Sequence, residues 1–454
     1  MDEPVHPDRV PRPQEVAMTL VQEPSAVGTA VDTDPALAAG KSRAGGARSP
    51  QQPALDAAQL AAFHTDGYLA LRNVFGDADL QRFERAVVNH PPLDQHVAGQ
   101  TYPGPGRWTL ARNALADPDL AYLAARPELV EPVRAVLDDD PKLLMWAWYD
   151  RTPGGPGLPS HNDYKRWRPI GSSMRWTFAI VPFVDFDDVA GPLLVAPGSH
   201  RVAHTQDPWA PVWNAERPRR PAEDAFVDPQ LRRGDLLLMD MHCWHRAGAN
   251  NAAHHRTGMF TKWCAASQPP ATGWFPHHET VRLGLGPEAE HLLGYWSAAP
   301  ITATAALLER TRGERRQYLL IERDGRLSLP VGPAQKEGSI PDWDEGNLLA
   351  GLVDSLAVEL KARLPWLSYV GDYGDRTDAH GAGLTRTYGY RVPEHAWGIQ
   401  TAASVWLDAE AVRDRAASLT QPWVLDAIAE WERDDVIRGK GVTESTGRAD
   451  QYAV

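Results

Sequence analysis

Cysteine is nearly missing: Cys243 and Cys264 are the only two in 454 residues. That excludes a disulfide framework and a four-cysteine zinc site, and it fits a reducing compartment. No run of eighteen apolar residues exists to span a bilayer, and the N-terminus has no apolar stretch of signal-peptide length, so the expected location is cytoplasmic, with no membrane partner. Positive charge is not in excess either. Acidic residues number 59 against 46 basic ones, a formal net charge of −13, so the summed field repels polyanions and nucleic acid is not an expected partner. No internal repeat is found.

What is there is the composition of a globular chain, with 43% apolar and 23% charged residues, at a length that favours two domains over one core. Residues 1–52 mix Pro, Ala, Gly, Ser, Asp and Arg without either hydrophobic period, which predicts a disordered tail. Asp56 is placed to cap a helix over Ala57–Phe63, followed by a strand at Tyr68–Leu71; Asp77 opens a helix over Ala78–Val88, and two more helices fit between Asp117 and Leu137. From Lys142 to about Ala265 the chain breaks into short β-rich runs, Leu143–Tyr149, Arg175–Phe183, Leu193–Ala196, Asp235–Met241 and Thr257–Trp263, punctuated by Gly and Pro. Such a pattern predicts a sandwich or barrel. Many of the seventeen tryptophans fall between Trp108 and Trp274, as a Trp-rich core or as the lining of a pocket.

After a connecting segment, 271–299, residues 300–435 read as a separate α+β unit. It has strands near 301–310, 317–323, 382–392 and 404–407 and an amphipathic helix over Leu348–Leu364; residues 436–454 read as a flexible tail.

The chemistry begins at Ser160-His161-Asn162-Asp163. In extended structure positions i and i+2 share a face, so the imidazole of His161 and the carboxylate of Asp163 point to one place. A second imidazole completes the set that leaves open positions on one side of a non-haem Fe(II) ion. His-x-Asp alone is a weak signal, and support comes from Gly234-Asp235, a buried strand, and then His245. Asn250-Asn251 beyond it suits a turn; a hairpin centred there sets His245 directly opposite Arg256 on one face. A guanidinium so placed matches the far carboxylate of a keto acid that chelates the metal. His242, three residues before His245, points to the opposite face and is the rival ligand. His200, His204, His254 and His255 read as turn or surface residues, and Cys243 as a small core residue that can also lie beside the metal.

These residues resemble the phytanoyl-CoA dioxygenase-like family. The likeness rests on Phe63-His64-Thr65-Asp66-Gly67-Tyr68, His161-Asn162-Asp163, Gly191-Pro192-Leu193 leading to Pro197-Gly198-Ser199-His200, then Gly234-Asp235, His245, Asn250 and Arg256. It covers about residues 57–268, and the ordered set is far more specific than any one member. The resemblance implies a mainly β double-stranded β-helix (jelly-roll, cupin-like) with flanking helices over residues 53–270, beside the C-terminal α+β domain. It implies Fe(II) held by His161, Asp163 and His245, 2-oxoglutarate with its C5 carboxylate on Arg256, and O2. It implies decarboxylation to succinate and CO2 coupled to attack on an unactivated C–H, with hydroxylation as the default outcome. An intact Asp163 argues against halogenation, which needs that position vacated.

Tyr164, Arg166, Trp167 and Arg168 follow the ligand pair directly. They are candidate contacts to a small-molecule substrate, anionic or aromatic in character, against the plainer reading of a solvated basic loop. Residues 300–430 faintly resemble a Nudix-type domain, but a Mg2+ site there needs several carboxylates on the helix, and only Asp354 and Glu359 are present. A silent domain, used for packing, a lid or a homodimer contact, is expected. The alternatives are a Nudix-like pyrophosphatase with a non-catalytic jelly-roll, and a non-catalytic protein that binds metal or 2-oxoglutarate.

Overall fold

A computed structural model describes residues 55–89, 107–111, 115–163, 175–202, 220–267, 273–334, 346–361, 367–374, 383–392, 399 and 401–433. Helix α1 (Ala57–Asp66) starts where the sequence places its cap: the Asp56 carboxylate accepts the Gln59 N–H, and the Gln59 side chain accepts the Asp56 N–H in return. It runs three residues past Phe63 and stops at Gly67, whose φ of 79° is open to glycine at little cost. Strand β1 (Tyr68–Leu71) follows, then α2 (Asp77–Asn89), β2 (Arg107–Ala111), α3 (Pro118–Ala124) and α4 (Pro127–Leu137). Both α3 and α4 carry proline in the first turn, where no N–H is needed.

The β-rich middle of the chain supplies β3 (Pro141–Arg151), β4 (Leu158–His161), β5 (Trp176–Pro182), β6 (Leu193–Val195), a single turn α5 (Ser199–Val202), β7 (Leu236–Asp240), β8 (His245–Ala247) and β9 (Arg256–Ala265). These form two antiparallel sheets. One is six-stranded in the order β1-β7-β5-β9-β3-β2, and the other is three-stranded in the order β4-β8-β6.

Alternation divides the large sheet cleanly. Trp146, Trp148, Ala179, Val181, Leu236, Leu238, Met259 and Trp263 pack with Phe83, Leu120, Leu129 and Val133 of the helices. Phe178, Ile180, Leu237 and Met239 face the other way, into a second cluster with Leu193 and Val195 of the small sheet. The sequence left open which face of β3 looks inward. Met145 and Tyr149 line the cavity between the sheets, while Trp146 and Trp148 sit against the helices with Phe83.

Further on, β10 (His277–His278) pairs in parallel with β11 (Trp296–Ser297) around α6 (Glu279–Leu285). A seven-stranded mixed sheet then forms from β12 (Ile301–Arg312), β13 (Arg315–Arg323), β14 (Arg326–Ser328), β15 (Val331–Pro333), β16 (Ser368–Tyr373), β17 (Leu384–Arg391) and β18 (Ser404–Leu407), with β12 and β17 parallel. Its helices are α7 (Gly346–Glu359), α8 (Ala409–Asp414) and α9 (Val424–Arg433). Helix α7 ends five residues short of Leu364, ahead of Lys361 with φ 54° and of Pro365, which disfavours helix in the residue before it. Leu308 and Leu319 pack on α7; Leu307 and Leu320 pack on α9 from the opposite face. The sheet is therefore apolar on both sides. The described residues fall within one compact unit. Among the described residues no helix is long and apolar enough to cross a membrane.

Candidate metal centre

His161 is the last residue of β4, and His245 the first of β8. They are directly paired across the antiparallel ladder, so both side chains leave the small sheet on the same face. Their ring centroids are 4.3 Å apart. Asp163 lies just past the strand, in a bend, with its Oδ1 3.5 Å from His161 Nε2. One ligand atom from each of the three can be chosen so that all lie within 4.8 Å of one another. His161 Nδ1 lies 2.7 Å from the carbonyl of Pro159, and His245 Nδ1 lies 3.1 Å from that of Cys243. Those carbonyls assign the proton to Nδ1 in each ring, which leaves the lone pair on Nε2, the form a metal takes.

The hairpin expected around Asn250-Asn251 does not form. Strand β8 pairs with β4 and β6, whereas β9 pairs with β3 and β5, so residues 248–255 carry the chain from one sheet to the other. The cause is Asn250. It is fully buried; its Nδ2 donates to the carbonyls of Arg151 and His254 at 2.9 Å each, and its Oδ1 accepts the Ala252 N–H. Asparagine here ties a crossover to the end of β3. The residue opposite Arg256 is accordingly Arg151. Arg256 and His245 nonetheless line the same cavity, because each projects from its own sheet toward the other.

Arg256 is almost completely buried. Its Nε donates to the Gly191 carbonyl at 2.6 Å, and its guanidinium carbon lies 3.6 Å from the Phe186 ring centroid. Its Nη2 finds no acceptor among the described residues. Burial, and then the neighbouring Arg151, push its pKa well below the ordinary arginine value. Gly191 must be glycine: at φ 93°, a Cβ would stand 2.6 Å from the carbonyl oxygens of Gly248 and Ala249. A buried guanidinium held on one edge, with an unmet donor on another, fits an incoming carboxylate.

His242 is buried outside this cavity, its Nδ1 3.0 Å from Asp240 Oδ1. Cys243 is a core residue whose Sγ reaches the Ala196 carbonyl, and burial raises its pKa to about 12. Asp235, at the start of β7, is a buried clamp that accepts the N–H groups of Asn73 and Arg232 and a bond from Arg72. Tyr164, Arg166, Trp167 and Arg168 lie outside the described residues. Sequence reasoning missed four charged residues of the cavity, Asp150, Arg151, Arg246 and Lys262. Counting by twos from Arg256 along β9 reaches Gly258, Phe260 and Lys262, so alternation taken onward from Arg256 held a signal for Lys262.

Two imidazoles and a carboxylate in one mouth, with a buried arginine behind it, belong to the class of iron(II)- and 2-oxoglutarate-dependent oxygenases. Residues 63–258 match the family model Phytanoyl-CoA dioxygenase (PhyH), and this stretch is a domain of that kind. Curated relatives include an ectoine dioxygenase of Bordetella bronchiseptica, 23% identical over 269 residues that cover 53% of this chain and 82% of that protein. Another is the dioxygenase andF of Emericella variicolor, 28% identical over 153 residues that cover 32% of this chain and 48% of that one. Among solved structures, the iron-bound EctD of S. alaskensis is 22% identical, covers 48% of this chain and 79% of that chain, and superposes with a TM-score of 0.39.

Proposed function

We propose that this chain hydroxylates an unactivated C–H of a small molecule, with Fe(II) held by His161, Asp163 and His245 and with succinate and CO2 as co-products of 2-oxoglutarate. The large and small sheets are then the two walls of a double-stranded β-helix, and residues 300–435 a second, non-catalytic domain. One observation carries this reading: the three ligand atoms gather on one wall of a cavity, and Arg256 reaches in from the other with a buried N–H that has no acceptor among the described residues.

The residues fit the cofactor. Both imidazoles are held in the tautomer a metal needs, and Asp163 supplies the anionic ligand. Bound iron would supply the site for O2 activation. Arg256 would take the distal carboxylate of 2-oxoglutarate in a charge-assisted bond, and in doing so remove the strain of an uncompensated buried cation. Phe178, Ile180 and Leu193 narrow the cavity with apolar surface, which keeps bulk water from the reacting carbon. An intact Asp163 weighs against halogenation. The relatives named as ectoine dioxygenases act, by that name, on a small molecule, which supports a substrate of that size here. An anionic or aromatic substrate, met by Tyr164, Arg166, Trp167 and Arg168, is part of the same proposal.

The test has two stages. Anaerobic addition of Fe(II) and 2-oxoglutarate to the full chain is expected to raise a weak visible charge-transfer band, and admission of O2 is then expected to yield succinate. Failure of the band rejects the site; a band without succinate leaves a non-catalytic binder.

A further inference from the structure

Lys262 has no part in the reading given so far, yet its position is costly. It lies on the cavity face of β9, opposite Phe178 of β5 and Met145 of β3, and is only 3% exposed. A buried ammonium costs several kcal/mol unless an anion compensates it, so a lysine among Phe178, Met145 and Ile180 needs a reason. Its Nζ lies 3.5 Å from Asp163 Oδ2 and 5.0 Å from the Phe178 ring centroid. The other oxygen of the same carboxylate, Oδ1, is the one 3.5 Å from His161 Nε2.

Asp163 also differs from the two histidines in how it is supported. His161 and His245 sit in a ladder with their rings pinned by backbone carbonyls. Asp163 lies beyond the end of β4, in a bend, with its N–H donating to the Met241 carbonyl at 3.3 Å. A carboxylate on a bend can offer a metal either oxygen or both.

We propose that Lys262 is a positioning residue: its ammonium holds Oδ2 of Asp163 so that Oδ1 alone is presented to the metal beside His161. This deepens the metal reading and rests on it. Outer groups that fix a ligand's orientation change metal affinity by about 10- to 100-fold when removed.

Co(II) titration of the full chain, followed by its visible d–d absorption, tests this without turnover. Wild-type protein is expected to bind Co(II); Lys262→Met is expected to bind about tenfold or more weakly with a changed band shape, as the freed carboxylate turns both oxygens to the ion. Lys262→Arg, which keeps the cation, is expected to recover most of the affinity and the wild-type spectrum. Lys262→Gln, neutral but polar and long, should fold if the methionine variant does not, and is expected to show the same loss; metal-free melting curves check each fold. Wild-type protein that does not bind Co(II) removes the metal reading itself. Wild-type binding with an unchanged affinity and spectrum in the methionine or glutamine variant overturns only the role of Lys262, as does an arginine variant no better than methionine.

Discussion

Two buried arginines, one in each half of the molecule, show what separates a working cavity from a closed core. Arg386 of β17 is fully buried, and Asp372 of β16 meets it with both oxygens, at 2.9 and 3.0 Å; Trp274 contributes its carbonyl at 2.9 Å. Glu309 of β12, equally buried, is likewise closed by Arg391 at 3.0 Å and by the Trp431 indole N–H at 2.6 Å. Arg256 is just as dry, but its direct cross-strand neighbour is another arginine, and one of its N–H groups points to no acceptor among the described residues. Closed charges of the first kind hold a fold together. A charge left open, at a cost, marks a place where a ligand completes the electrostatics.

The largest effect expected is on the wall opposite Arg256. His245→Ala and Asp163→Ala should each reduce 2-oxoglutarate-dependent succinate formation to background and abolish Co(II) binding, with the metal-free melting temperature close to wild type. Retained metal binding in either variant would break the contrast at its root, because the cavity would then owe its polarity to something other than a metal.

Next comes a crossed pair. Arg386→Met strands a buried carboxylate and is expected to cost about 3–5 kcal/mol of stability, read as a fall in denaturation midpoint, with 2-oxoglutarate affinity unchanged in the folded fraction. Arg256→Met is expected to do the opposite. It should weaken 2-oxoglutarate by about 2–5 kcal/mol in a binding titration while leaving stability unchanged or raised. The sign follows from linkage. Between the lowered native pKa of Arg256 and the ordinary arginine value the unfolded chain holds the extra proton, so this residue adds stability only as pH rises through that window. If Arg256→Met destabilises as severely as Arg386→Met, the two arginines are the same kind of residue.

How much of this was legible beforehand depends on how local each signal was. The Asp56 cap, β1, β18 and the two helices between Asp117 and Leu137 rest on neighbours in sequence, and the structure carries them where the residues placed them. His161, Asp163, His245 and Arg256 were singled out by an order along the chain that resembles the family's, and the structure brings them to one cavity even though Asp163 lies in a bend and the hairpin expected to set Arg256 opposite His245 does not form. What failed was the step from one strand to the next. Asn250-Asn251 has the composition of a tight turn, but composition cannot say whether an asparagine spends its amide on its own turn or on the carbonyl of a residue 99 positions away. Lys262 was hidden for a related reason, since a lysine in a strand reads as a solvent-facing residue until a carboxylate from another sheet is seen beside it.

A smaller effect separates the halves at high pH. Cys243 lies in the core beneath His245, and burial raises its thiol from 9.0 to about 12. Above pH 9 the unfolded chain releases this proton while the folded one keeps it, so stability is whole below pH 9 and is lost as pH climbs toward 12, by about 1.4 kcal/mol per unit. Tyr318 in the second sheet is raised too, by burial and by its bond to Glu432, from an ordinary value of 10.0. Alkaline loss is therefore expected to begin with the thiol, and Cys243→Ala should move the onset of the stability decline upward by about a pH unit. An identical decline in the alanine variant would assign it to Tyr318 and to the second region instead.

The smallest effect bears on whether the second region does chemistry at all. Among the described residues the only group of metal-ligating side chains is the one in the cavity, and Glu359 on α7 is engaged by Arg323 at 2.6 Å. That pair is exposed on the arginine side, and pairs of this kind contribute about 0–1 kcal/mol. Asp354→Asn with Glu359→Gln should therefore shift stability by no more than that, leave succinate output unchanged, and leave phosphate release from nucleotide diphosphates at background in both proteins. Phosphate released by the wild type and lost in the double variant would show that α7 binds a metal after all, and the line drawn between an open cavity and a closed core would have to be redrawn through the second sheet.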